Sequence, residues 1–180
     1  MLTDRVTRYR MFATRFWAGG EGDSRWDLKP VAIADIERAE AELGAKLPSS
    51  YKAFATQVGV GPFRLLGDAW SSSQDRGCPI PLENFWGPAA IVRQCREKWL
   101  APIPAEVSGG PAIASEVAWK YLLPFGRDGN SDYWHCFQRQ SGEADDLPVY
   151  VFDSDGGDIE RVSRGLDELI DRFLQLPATP

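Results

Sequence analysis

A chain of 180 residues, 43% hydrophobic and 26% charged, is long enough for one domain with its own core and too apolar to stay disordered. No run approaches the roughly 20 apolar residues of a membrane helix, and Arg5, Arg8, Arg10 and Arg15 are interspersed with apolar residues, unlike the separate blocks of a secretory signal. The net charge of −6 is uneven: residues 1–30 carry +2, residues 31–125 carry −1 and residues 126–180 carry −7, a balance that disfavours nucleic acid and anionic membranes and favours a basic protein partner.

In chain order, Leu2, Val6, Tyr9, Ala13 and Phe16 recur at steps of three and four, which predicts an amphipathic helix started by Thr3 or Asp4. Gly19, Gly20 and Gly22 end it, and a polar loop runs to Lys29-Pro30. Ile33, Ile36, Ala39 and Leu43 share one face of a second helix closed by Gly44. Tyr51, Phe54, Ala55 and Val58 mark a third, opened by Pro48-Ser49-Ser50 and ended by Gly59. Strands are expected at Phe63 to Leu66 and Ile80 to Leu82. A helix from Pro88 aligns Val92, Cys95 and Trp99, and an irregular Pro/Gly stretch from Pro102 to Pro111 reads as an insertion. Tyr121 to Phe125, Asp132 to Gln138 and Val149 to Phe152 are aromatic and β-branched runs between turn clusters, the pattern of an antiparallel meander. A last helix, with Ser163 as its cap, buries Leu166, Leu169, Ile170 and Phe173. The expected fold class is α+β: a single domain with a central, mainly antiparallel β-sheet flanked by α-helices.

Three cysteines at wide spacing, Cys78, Cys95 and Cys136, suit reduced core residues and a cytoplasmic setting better than a disulfide framework. Asp128-Gly129-Asn130-Ser131-Asp132 has the opening spacing of a calcium loop, but the twelfth position is Arg139 where such a loop needs Glu; ordinary turns are expected, and no metal. His135, the only histidine, sits mid-strand on the face of Tyr133 and Phe137, opposite Trp134 and Cys136, so no Cys/His pair forms there. With no phosphate loop or nucleophile elbow either, neither catalysis nor a cofactor is expected. Among seven tryptophans, Trp26, Trp70 and Trp119 fall in loops and are candidates for exposure.

The stretch IERAEAELGAKLPSSYKAFATQVGVG, Ile36 to Gly61, resembles the opening motif of the SUKH superfamily, with Glu40, Leu43, Gly44, Leu47, Pro48, Tyr51, Phe54 and Gly59 in the matching places. YLLPFGRDGNSDYWHCFQ, followed by PVYVFDSD and SRGLDELIDRFL, is similar to its later strands and closing helix. The resemblance implies that residues 31–176 form the domain, with 1–30 as an N-terminal helix and loop extension. For bacterial members it implies an immunity protein that binds and neutralises a toxin, often a nuclease or deaminase; the alternative it carries is a regulatory scaffold without a toxin. Combined with the acidic C-terminal third, it nominates Asp128, Asp132, Trp134, Asp145, Asp146, Asp153, Asp155, Asp158 and Glu160 as the contact surface for a basic toxin domain.

Overall fold

The computed structural model describes residues 4–16, 28–62, 82, 84–99, 122–128, 133–139, 142–153 and 159–176. In chain order these form α1 (Arg5–Phe16), α2 (Ile33–Leu43), α3 (Ser49–Gln57), β1 (Gly61–Pro62), β2 (Asn84–Phe85), α4 (Pro88–Trp99), β3 (Leu122–Arg127), β4 (Tyr133–Gln138), β5 (Val149–Asp153), β6 (Ile159–Ser163) and α5 (Leu166–Leu174). The expected strand Phe63 to Leu66, the Pro102 to Pro111 stretch, most of Ile80 to Leu82, Cys78, and Trp26, Trp70 and Trp119 lie outside the described residues.

The six strands pair in sequence order, β1 to β6, each antiparallel to the next. The expected meander is β3 to β5; β1 at Gly61–Pro62 precedes the strand expected at Phe63, β2 lies at Asn84–Phe85 where a strand was expected at Ile80 to Leu82, with Leu82 outside any strand, and β6 was not expected. β6, IERVS, places Glu160 and Arg161 side by side at its centre, and its pairing with β5 shifts register between Val149 and Tyr150. An irregular ladder of that kind breaks the clean two-residue alternation by which a strand is recognised.

Alternation divides the sheet into two faces. Phe85, Leu123, Phe125, Phe137 and Val149 join the buried residues of all five helices in one core. Aromatic rings bind the layers together: Phe125 stacks on Phe137 at 4.0 Å, and Phe85 meets Phe54 at 4.4 Å and Tyr51 at 5.4 Å. The Tyr51 hydroxyl donates to the Trp86 carbonyl at 2.8 Å, which satisfies the polar end of a fully buried ring. On the other face, Leu122, Trp134 and Cys136 form a smaller cluster with half-buried Trp86, Tyr150, Phe152 and Ile159.

The helix α1 is part of the main core although the sequence analysis set it apart. Tyr9, Phe12 and Ala13 are buried in it, against α3 and α5. Asp4 caps this helix as expected, accepting from the Val6 N–H at 3.0 Å and the Thr7 N–H at 3.2 Å. Gly44 ends α2 in the left-handed conformation, φ 57, with its N–H on the Glu40 carbonyl. Among the described residues, no helix is long and apolar enough to cross a membrane.

Candidate acidic surface and its supports

Among the described residues, the nominated carboxylates fall into two groups at opposite ends of the sheet. β3 ends where β4 begins, and β5 ends where β6 begins, so Asp128 and Asp153 share one end; the connection 139–148, with Asp145 and Asp146, is at the other. Asp128 donates its N–H to the Tyr133 carbonyl at 3.2 Å, and Tyr133 is the cross-strand partner of Asp153. Glu160 pairs with Val151, two residues before Asp153, so the two residues are diagonal cross-strand neighbours on one face. Glu160 is exposed, and Asp128 and Asp153 are half-buried. Asp132, Asp155 and Asp158 belong to the connections 129–132 and 154–158 and lie outside the described residues.

Three nominated residues have other work. Trp134 is 7% exposed and meets Trp86 edge to face at 5.3 Å, so it is a packing residue of the smaller cluster instead of a surface anchor. Asp146 is a cap at long range: its Oδ1 accepts from the Leu166 N–H at 2.9 Å and its Oδ2 from the Asp167 N–H at 3.0 Å, satisfying the start of α5. It also accepts from the Ser50 hydroxyl at 2.5 Å and the Leu147 N–H at 3.1 Å. Ser163, expected as the cap, instead closes β6 and donates its hydroxyl to the Gly165 carbonyl at 2.8 Å. The same short segment caps α3, where the Ser49 and Ser50 N–H groups donate to the carbonyls of Ala144 and Asp145, each at 2.9 Å.

Asp145 is largely exposed but ion-paired with Arg5 at 2.7 Å, and that guanidinium holds its carboxyl below the usual carboxylate range. Arg5 also meets Asp167 at 2.7 Å, while Arg8 meets Asp171 at 2.6 Å and Asp167 at 3.6 Å. The Tyr9 hydroxyl donates to Asp167 at 2.5 Å; burial, then that carboxylate, raises its pKa. Part of the C-terminal acidity is therefore neutralised by α1. Sequence reasoning missed this network, yet its signal was present: Arg5 and Arg8 are three apart and Asp167 and Asp171 four apart, the spacings that align side chains on a helix.

Glu40 shows the same logic indoors. Its nearly buried carboxylate accepts from the Leu47 N–H at 2.9 Å and meets Lys52 at 2.7 Å and Lys46 at 2.9 Å. Burial alone would raise its pKa, but the two ammonium groups and the N–H outweigh burial and hold it low.

Arg127 pairs with Trp134 and Arg161 with Tyr150, which puts both on the sheet face away from the helices. His135 is fully buried, its ring 6.2 Å from Phe125. Cys136 and Cys95 are buried free thiols; burial pushes Cys95 up to about 12 and Cys136 well above its ordinary value, which makes both poor nucleophiles. An open groove of about 810 Å³ separates α2 from α4 and is lined by Asp35, Arg38, Glu42, Arg93 and Arg96 among others, none of them a nominated residue.

A family model described as the SMI1 / KNR4 family (SUKH-1) matches residues 30–172. No curated protein matches the chain.

Proposed function

The chain belongs to the SMI1 / KNR4 family (SUKH-1), and from that premise we propose that it is a non-catalytic immunity protein that neutralises a toxin domain with a basic surface. The observation that carries the choice of surface is the convergence of Asp128, Asp153 and Glu160 at one end of the sheet. The sequence of the two adjoining connections adds Asp132, Asp155 and Asp158.

Carboxylates on neighbouring strands raise the local negative potential, which speeds encounter with a basic partner. A nuclease or deaminase presents a basic surface where it holds nucleic acid, so a rim of carboxylates there competes for the same cations. Asp145 and Asp146 support this surface from a distance, the first by anchoring α1 and the second by fixing the starts of α3 and α5. The protein acts in the cytoplasm, where such a toxin would reach its substrate.

Affinity capture from the native host tests the reading. Recovery of a protein with a secreted-type toxin domain and a basic surface is expected; recovery of only cell-wall or signalling proteins would replace immunity with the regulatory role.

A further inference from the structure

The helix α1 lies outside the residues that match the family, and its contacts resemble those of a bound ligand. One edge is aromatic: Tyr9 and Phe12 meet Phe54 at 5.2 and 6.2 Å, and Phe12 meets Phe173 at 5.6 Å. The flank is cationic: Arg5 and Arg8 reach Asp145, Asp167 and Asp171, and Arg15 donates to the carbonyls of Leu174 and Leu176. Among the described residues, no backbone-to-backbone hydrogen bond ties α1 to the rest of the chain. The eleven residues 17–27, with three glycines, could span about 36–40 Å when extended, enough for α1 to leave without breaking the chain.

We propose that the cleft between α3 and α5 is a second binding surface, held closed by α1, and that its external ligand is an amphipathic, arginine-bearing helix of the basic partner. The chemistry of the occupant defines that of the ligand. Departure of α1 uncovers Phe54 and Phe173 beside the carboxylates of Asp145, Asp167 and Asp171, an aromatic centre with an acidic margin. The proposal rests on the reading that the partner is basic, and it adds a site away from the sheet end together with a device that keeps its apolar floor covered until an arginine-bearing helix competes for it.

Two experiments on the full chain test this. In native-state hydrogen exchange, α1 amides should exchange through an opening that leaves β3, β4 and β5 protected, and that opening should grow about tenfold between about 0.05 and 0.5 M salt. Exchange of α1 and the sheet together, at one rate and at both salts, would overturn the proposal. A labelled peptide of residues 1–17 should bind the full chain saturably, and the same peptide carrying Arg5→Glu and Arg8→Glu should not. Absence of binding by the unaltered peptide also overturns it, and concentration-dependent dimerisation by exchange of α1 would assign the cleft to a second copy, against the partner. Neither experiment contains the toxin, so either can fail while capture or growth rescue succeeds.

Discussion

At the scale of single residues, charge is placed with its compensation already in reach. Glu40 is the clearest case, a carboxylate taken out of water only where two lysines and one N–H receive it. Its pKa is depressed in the fold, so the stability it contributes is fully present above the unfolded value of about 4.3 and is lost as pH falls through the folded value. Glu40→Gln should cost about 2 kcal/mol at neutral pH, discounted because both lysines reach solvent. Urea denaturation from pH 7 to pH 3 should show a shallower acid loss in the variant than in the parent; identical slopes would remove Glu40 from the acid limb. The sequence marked Glu40 only by its place in a family motif, since nothing in a linear pattern says that Lys46 and Lys52 turn back to meet it. Trp134 is the converse. Its alternation with His135 was readable, but whether an outward ring is covered depends on Trp86, 48 positions earlier in the chain.

The elements were legible where period and burial agree. In α5 every residue predicted by spacing is buried; α2 buries Ile36, Ala39 and Leu43 but leaves Ile33, at its first position, 51% exposed, and α3 buries Tyr51, Phe54 and Ala55 while Val58 falls just past its end and is half-buried. β3 to β5 follow their aromatic runs. The starts of helices were less so, because α3 and α5 take their caps from residues 144–146, far away in sequence. That arrangement makes one carboxylate support two helices. Asp146→Ala should destabilise the protein by about 2–3 kcal/mol, more than an ordinary cap loss, read from the denaturation midpoint. Gly165 is its counterpart: a Cβ there would lie 2.1 Å from Asp146 Oδ2, so Gly165→Ala should displace the same cap. The two substitutions together should cost clearly less than the sum of their separate effects, and full additivity would mean that Gly165 acts through something else. Packing of α1 is tested in the same way: Phe12→Ala empties a fully buried position between Phe54 and Phe173 and should cost about 3–4 kcal/mol. A loss under about 1 kcal/mol would show α1 to be a loose extension.

For the molecule as a whole, the sequence showed that the last third is acidic, and the fold changes what that means. Asp145, Asp167 and Asp171 are matched by arginines of α1, while the antiparallel topology gathers Asp128, Asp153 and Glu160 at one end. Charge counted along the chain cannot show either arrangement, because both depend on contacts or strand pairings between residues distant in sequence, the first between residues more than 100 positions apart. Reversing charge with Asp153→Lys and Glu160→Lys should slow association with a basic partner about tenfold at low salt and much less at high salt; an unchanged rate at low salt would move the contact elsewhere. Protection from a toxin is read in growth. When the toxin domain recovered by affinity capture is expressed in a sensitive host, growth should stop without this chain, resume with it, and resume poorly with the doubly reversed variant. Growth that is the same with and without the chain would rule out an immunity role.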